Sequence, residues 1–277
     1  MIQFYEFLSL GRWELSPVSW GIFCLAVFIV GFSKTGLPGA TIISVPLAAA
    51  VFPPKISVGL MLPVYIIADI LSVWNYWRYA KRGYCLPYLL FVGLGVWSAS
   101  FVAEAVDDKT FGVVIGWTVA LLVLLNMATD FAQKRRKAAA LLEPETSAAS
   151  ETRGETKHSP SLAMSASFGT ASGLVSALAN AGAPIMALYM IIARLNKFQI
   201  LGTTAVCAFF MNWLKVPLFL SLNMMSAETL KLDAAMIPVT AAGGLAGILF
   251  AKKLPQEAFK KLVLALAFAA SVKLILT

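Results

Sequence analysis

Long stretches of this sequence contain almost no charged residue, and this feature constrains the fold more than any other. Of the 277 residues, 59% are hydrophobic and 13% are charged, whereas soluble domains average about 45–50% and about 25%. The composition excludes a typical water-soluble globule and also a disordered chain, which needs low hydrophobicity and high charge density. The uncharged or nearly uncharged runs are Val18–Phe32, Leu37–Phe52, Ile56–Trp77, Tyr84–Ala103 and Thr110–Thr129, then Ser161–Ala179, Ala183–Ala193, Phe198–Leu222, Ala234–Ala251 and Glu257–Thr277.

The lengths of these runs predict membrane-spanning helices. A helix needs about 20 apolar residues to cross a bilayer, whereas a barrel strand needs about 9–11. Most of the runs match the helix, which also satisfies the backbone polar groups within lipid. We therefore expect an all-α polytopic membrane protein of eight to ten hydrophobic elements.

The chain divides into two halves that resemble each other at a constant offset of 143 residues. We expect one transmembrane repeat at residues 1–129 and a second at 161–277. The polar stretch at 130–160 is expected to join them in the cytoplasm. It is either a simple linker or a segment with a regulatory role. Residues superimposed by the offset are Gly39 and Gly182, Gly59 and Gly202, Ser33 and Ser176, and Asp69 and Asn212.

The shortest runs predict that each half begins with a hairpin. The 15 residues of Val18–Phe32 reach about 22 Å as a helix, short of the roughly 30 Å hydrocarbon core. Ala183–Ala193 is shorter still. We expect a re-entrant or broken helix pair followed by three full spans in each half. That number of spans is odd, so the second repeat is inverted relative to the first, as in many secondary transporters.

The distribution of lysine and arginine predicts the orientation. Arg78, Lys81 and Arg82 follow the third run, and a basic cluster at 134–137 follows the fifth. The loops at 104–109 and 228–233 contain few bases. By the positive-inside rule, we expect the 130–160 linker inside and both termini outside an inner, plasma-type membrane. In particular, Asp233 is assigned to an outward-facing loop.

The breaks in the two hairpins predict an anion site. They read Gly-Phe-Ser-Lys-Thr-Gly-Leu-Pro-Gly from Gly31 and Ser-Ala-Leu-Ala-Asn-Ala-Gly-Ala-Pro from Ser176. Glycine permits the turns, and proline at the start of the next helix leaves free N–H groups and a positive dipole end aimed at the protein centre. Candidate substrate-binding residues here are Ser33, Lys34, Thr35, Gly36, Gly39, Ser176, Asn180 and Gly182. The alternative is that glycine only permits close packing and that Lys34 extends to an interface.

Further candidates lie inside the apolar runs. Asp69 is a candidate proton or ion site, and Asp69 and Asn212 could instead form an interhelical hydrogen bond. Lys215 is either a second substrate-binding charge or an interface anchor. Thr203 and Thr204 add candidate hydroxyls, unless they bond to their own helix.

These segments resemble the TauE/SafE family of sulfite exporters and related anion permeases. The resemblance rests on the segment from Gly31, on Ile42–Leu47, and on three second-half motifs: Asn180–Pro184, Gly202–Ala205 and Asn212–Lys215. It covers nearly the whole chain. It implies a multi-pass inner-membrane transporter of sulfite, sulfonates or other sulfur-containing anions, with the lysines and hydroxyls above at its site. Leu37-Pro38 and two alanines at 181 and 183 stand where the glycine-richest members have more glycine.

Other functions fit the sequence less well. An intramembrane protease needs a membrane histidine or two membrane carboxylates, whereas the only histidine is His158 in the linker and the only acid placed well inside an apolar run is Asp69. Cys24, Cys85 and Cys207 lie far apart in the sequence, with no CxxC spacing and no histidine near them, which argues against a disulfide framework or a zinc site. We expect no enzyme activity, catalytic residue, metal, cofactor or nucleic-acid partner, and the sequence leaves the oligomeric state open. An anion channel and a permease for non-sulfur carboxylates remain alternatives.

Overall fold

The computed structural model describes residues 15–36, 40–140, 161–193, 195–250 and 256–276, and within them every regular element is a helix, with no β-strand. A 3₁₀ turn at Ala40–Ile43 precedes α2 and another at Trp77–Tyr79 follows α3. The helices are α1 (Pro17–Thr35), α2 (Ser44–Ala49), α3 (Pro54–Tyr76), α4 (Arg82–Ala105), α5 (Asp108–Ala140), α6 (Leu162–Ala179), α7 (Ala183–Ile192), α8 (Lys197–Ser221), α9 (Ala227–Phe250) and α10 (Gln256–Leu276).

This architecture confirms the all-α polytopic fold. Each of the predicted runs corresponds to one helix, and in the described part of the chain seven helices are long and apolar enough to cross a membrane. The short apolar helices of the hairpins are at 40–49 and 183–192. The second is where the sequence predicts it, whereas in the first half the predicted short element, Val18–Phe32, is the 19-residue helix α1.

Two helix boundaries differ from the sequence-based prediction. Helix α1 has 19 residues and extends through Ser33, Lys34 and Thr35, because the protein interior supplies partners for these polar side chains. Helix α9 begins at Ala227, so the assignment of Asp233 to a loop was wrong. Charge alone placed it there, whereas the side-chain and backbone hydrogen bonds between Ser226 and Thr229 start the helix earlier.

Helix α4 shows why the helices associate in lipid. Its buried face carries small residues, including Gly95, Ala99 and Ala103. Its exposed face carries large apolar side chains, which is the reverse of a helix in a water-soluble protein. That lipid-facing stripe consists of Leu86, Leu90, Leu94, Trp97 and Phe101.

Each half begins with a helical hairpin, as predicted. The ring of Phe23, early in α1, packs edge-on against Phe52, just after α2, with centroids 5.2 Å apart. The Ser165 and Tyr189 hydroxyls, near the start of α6 and the end of α7, are 3.0 Å apart. In both hairpins the chain therefore returns to the level from which it started.

The equivalent helices α3 and α8 run antiparallel, as an inverted repeat requires. A Cβ atom on Gly59, near the start of α3, would lie 1.9 Å from the carbonyl oxygen of Met224, just after α8. A Cβ atom on Gly202, near the start of α8, would lie 2.5 Å from the carbonyl oxygen of Tyr76 at the end of α3. Each helix start thus contacts the other helix's end, and we call this contact the α3–α8 crossing.

The two halves also exchange their outer helices. Helix α1 of the first half packs on α9 of the second, and α6 of the second packs on α4 of the first. Both contacts bring backbones together at glycines, so that a Cβ atom on Gly95 would lie 2.1 Å from the carbonyl oxygen of Thr170. The glycines of these contacts are Gly31, Gly36, Gly243 and Gly247 between α1 and α9, and Gly95, Gly169 and Gly173 between α4 and α6.

This packing predicts different effects for two glycine-to-alanine substitutions in α4. Gly95→Ala inserts a methyl group against backbone and should destabilise the protein by about 1–3 kcal/mol. Gly93→Ala is the matched control, because no atom lies within 4 Å of its added Cβ atom. It should be neutral or stabilising by up to about 1 kcal/mol, since alanine favours a helix. Melting temperatures in detergent measure both, and equal values would contradict the close-contact interpretation.

Candidate functional site

An ion pair joins the end of the first hairpin helix to the middle of α3. The Lys34 ammonium, in the last turn of α1, donates a hydrogen bond to Oδ1 of Asp69. The Lys34 side chain is 15% exposed and that of Asp69 is fully buried. Lys34 therefore does not simply extend to a membrane interface. Its charge is directed to a carboxylate within the helix bundle.

The second oxygen of the same carboxylate binds the other half of the molecule. Asn212 Nδ2, on α8, donates to Asp69 Oδ2 at 2.5 Å. Both residues are buried, and they occupy equivalent positions in the two halves, 143 residues apart. Two residues at equivalent positions can contact each other only close to the pseudo-twofold axis that relates the two halves. The interhelical hydrogen bond considered for this pair is therefore formed, and it lies at the centre of the α3–α8 crossing.

Lys215 lies one turn beyond Asn212 and is completely buried. Its ammonium donates to Asn180 Oδ1 at 2.5 Å, to Ser176 Oγ at 3.0 Å and to the Ser176 carbonyl oxygen at 3.3 Å. All three acceptors are neutral. Lys215 is therefore not an interface anchor, and within the described residues no carboxylate pairs with it.

Local backbone structure holds the acceptors of Lys215 in place. Helix α6 ends at Asn180, which adopts a left-handed conformation (φ 50°) that asparagine tolerates better than most residues. Asn180 Nδ2 also donates to the carbonyl oxygen of Val58 on α3, at 2.8 Å. Helix α7 then starts at Gly182 without a side-chain cap and has Pro184 in its first turn, as predicted. The free N–H groups of that turn lie beside the break.

The first-half break uses its polar residues differently. The Ser33 hydroxyl accepts a hydrogen bond from the Thr41 amide at 3.1 Å and so connects the two arms of the hairpin. The Thr35 hydroxyl donates to the Gly244 carbonyl oxygen on α9 at 2.7 Å. Gly36 packs against Gly247 of the same helix. Thr35 and Gly36 therefore contact α9, and Gly39 lies outside the described residues.

The two predicted threonines on α8 do not contact Lys34, Asp69 or Lys215. The Thr203 hydroxyl accepts from the amide of Lys81, at the start of α4, at 3.0 Å. The Thr204 hydroxyl is buried and has no hydrogen-bond partner among the described residues. Both lie about two turns or more before Asn212, or roughly 12–14 Å along the helix axis.

Tyr65 contacts Lys34, although the sequence analysis did not identify it as a site residue. The Lys34 ammonium lies 5.4 Å from the centre of its ring, in a cation–π contact. Its hydroxyl lies 2.5 Å from that of Ser44 and donates to the Thr41 carbonyl oxygen at 3.2 Å. The signal was available in the sequence, because Tyr65 precedes Asp69 by one helical turn and therefore shares its face of α3.

The four residues Lys34, Asp69, Asn212 and Lys215, which we call the lysine cluster, combine two ammonium groups with one carboxylate. Each half contributes one lysine. With both lysines protonated the cluster has a net positive charge in a region built from apolar helices, and an anion is the ligand that it would stabilise. Within the described residues no group of three or more histidine, cysteine or acidic side chains could hold a metal ion.

Comparison with known proteins gives a family that fits this geometry. The sequence model described as sulfite exporter TauE/SafE matches residues 23–274, which is nearly the whole chain and includes the entire lysine cluster. Neither curated proteins nor solved structures gave a match.

The ion pair predicts a non-additive pair of substitutions. Lys34→Met leaves the buried Asp69 carboxylate without its cation, and breaking a buried pair in this way costs about 3–5 kcal/mol. Adding Asp69→Asn removes the orphaned charge and keeps an amide oxygen for Asn212. The double variant should therefore melt at a higher temperature than Lys34→Met alone. If the two effects simply add, the pair makes no contribution of its own.

Proposed function

Because the chain belongs to the sulfite exporter TauE/SafE family, we propose that it transports sulfite or a closely related sulfur-containing or organosulfonate anion. The lysine cluster is the substrate site. The protein works by alternating access, in which the site opens to one side of the membrane and then to the other. It is a transporter and not an enzyme.

The observation that supports this proposal most directly is the environment of Lys215. A buried cation is normally paired with an acid, yet the Lys215 ammonium has only neutral oxygens of Ser176 and Asn180 as partners in the described structure. Asp69, the nearby carboxylate, is already engaged by Lys34 and Asn212. A bound anion supplies the missing negative charge, and it replaces these neutral contacts at little structural cost.

The donors around Lys215 suit a sulfur oxyanion. Sulfite and sulfonates present three oxygens, each of which accepts hydrogen bonds. The lysine cluster offers two ammonium groups, and the Ser176 hydroxyl and the uncapped amide groups at the start of α7 add further donors beside it. These donors come from both halves of the protein, which allows one small anion to be held between them.

The inverted arrangement supports alternating access. The two hairpins are equivalent in the repeat, and each contacts the α3–α8 pair through hydrogen bonds at its break. Motion of one hairpin opens the site to one side, and the equivalent motion of the other opens it to the opposite side. The same conformational cycle serves export or uptake, and the driving gradient selects the direction.

The site predicts a specific loss of transport in Lys215→Gln. The substitution removes the charge and retains a hydrogen-bonding end group. Loss of a charge-assisted contact of about 1.5–3 kcal/mol raises KM for the anion by roughly 10- to 150-fold. Counterflow of radiolabelled sulfite in proteoliposomes measures this change, with thiosulfate, sulfoacetate, sulfate and a carboxylate as competing anions.

The matched control is Lys231→Gln, which removes the same charge from an exposed position on α9. It should leave KM unchanged. A normal KM in Lys215→Gln would place the anion elsewhere. Flux that never saturates would favour a channel, and competition by the carboxylate alone would favour a carboxylate permease.

We propose that the protein lies in the inner membrane with both termini outside and the 130–160 linker in the cytoplasm. In a variant without Cys24, Cys85 and Cys207, a cysteine replacing Ser150 should resist an impermeant maleimide in intact cells. A cysteine replacing the exposed Lys109, at the start of α5, should react. The reverse labelling pattern would invert the proposed orientation.

A further inference from the structure

A second buried carboxylate lies outside the lysine cluster. Asp233, on the second turn of α9, is only 2% exposed. Among the described residues neither of its carboxylate oxygens has a hydrogen-bond partner. Its position is therefore unlike that of Asp69, whose two oxygens are bound by Lys34 and Asn212.

No charged group in the described part of the packing around α9 compensates Asp233. Helix α9 packs mainly on α1 and α3. Lys34 and Asp69 on those helices pair with each other, and Lys55 donates to the carbonyl oxygen of Val106. Glu228 and Lys231, on α9 itself, are exposed.

The other titratable groups on α1 and α3 either form hydrogen bonds with other residues or lie far from Asp233. The Cys24 thiol donates to the sulfur of Met236 at 3.9 Å. The Tyr65 hydroxyl is bonded at Ser44 and Thr41. Tyr76 lies at the far end of α3, beside Gly202.

This environment accommodates an acid only in its neutral form. An ionised carboxylate without a donor is strongly disfavoured away from water. A metal cation needs several oxygen ligands, and a single carboxyl group does not supply them. The proton is therefore the ion that Asp233 can bind in the conformation described here. Because the carboxyl group makes no hydrogen bond in the described structure, it contributes little to holding α9 in place.

Helix α9 connects Asp233 to the lysine cluster. Its later turns pack on α1 through glycines, and the Thr35 hydroxyl donates to the Gly244 carbonyl oxygen. Lys34 is the residue next to Thr35. A shift of α9 that exposes Asp233 to water is therefore transmitted to the helix that carries one of the two site lysines.

We infer that Asp233 is a proton-binding residue that couples anion transport to the proton gradient. The inference rests on the proposed function. The Asp233 carboxylate takes up one proton when its surroundings open to one side, and the carboxylic acid releases that proton on the other side. No other bond forms or breaks. The sequence pointed to Asp69 for coupling, and the experiment below separates the two acids.

The experiment uses the full-length protein in proteoliposomes with the membrane potential clamped. Sulfite counterflow without a pH difference measures exchange, and net accumulation under an imposed difference of one pH unit measures coupling. One unit is a tenfold proton gradient, so coupling of one proton per anion supports up to about tenfold accumulation. The variants are Asp233→Asn, Asp69→Asn, and Glu228→Gln as a matched loss of an exposed acid on the same helix.

We expect Asp233→Asn to keep counterflow and to lose the roughly tenfold accumulation that the pH difference supports, while Glu228→Gln keeps both. Accumulation by Asp233→Asn at the parental level would overturn the inference. So would loss of its counterflow, or loss of accumulation in Asp69→Asn alone. Parental counterflow without net accumulation under the pH difference would refute coupling and leave the proposed function intact. Absence of parental counterflow would refute the proposed function itself.

Discussion

The hydrogen bond between Asp69 and Asn212 is the contact on which the arrangement of this protein depends. It joins equivalent residues of the two halves, so it lies on the axis that relates them. Hydrocarbon offers no partner for a buried carboxylate, and the partners must therefore come from other helices. Asp69 recruits Lys34 from α1 and Asn212 from α8. The requirement to satisfy one acid thus brings three helices and both halves together.

The second lysine shows how the symmetry is broken for function. Lys34 and Lys215 both reach an interior acceptor near a hairpin break, but Lys34 binds a carboxylate whereas Lys215 binds the amide oxygen of Asn180. A fully neutralised cluster would have little affinity for an anion. Replacing the acid by an amide on one side retains a net positive charge, and the hydrogen bonds keep its geometry. In the proposed substrate site, this difference between the halves would serve both affinity for the anion and stability of the empty site.

Much of this structure could be predicted from the sequence, because lipid imposes simple rules on it. Uncharged runs locate the helices, the glycine and proline breaks locate the hairpins, and the repeat pairs Asp69 with Asn212. What escaped prediction depends on side-chain direction in three dimensions. Thr35 faces α9 and not the cluster. Asp233 looked like a loop residue because a charge ordinarily ends an apolar run, yet its helix starts two turns earlier and turns it inward.

The exchange of outer helices between the halves has a consequence for biosynthesis. Helix α1 leaves the ribosome before its partner α9, which follows more than 200 residues later, as the 212-residue separation of Cys24 and Met236 illustrates. At about 5–20 residues per second, α1 waits roughly ten to forty seconds for that surface. Throughout that interval its glycine face, with Gly31 and Gly36, meets lipid or the insertion machinery. The first half is therefore inserted before its packing surface is complete, and membrane-insertion chaperones have a defined surface to cover.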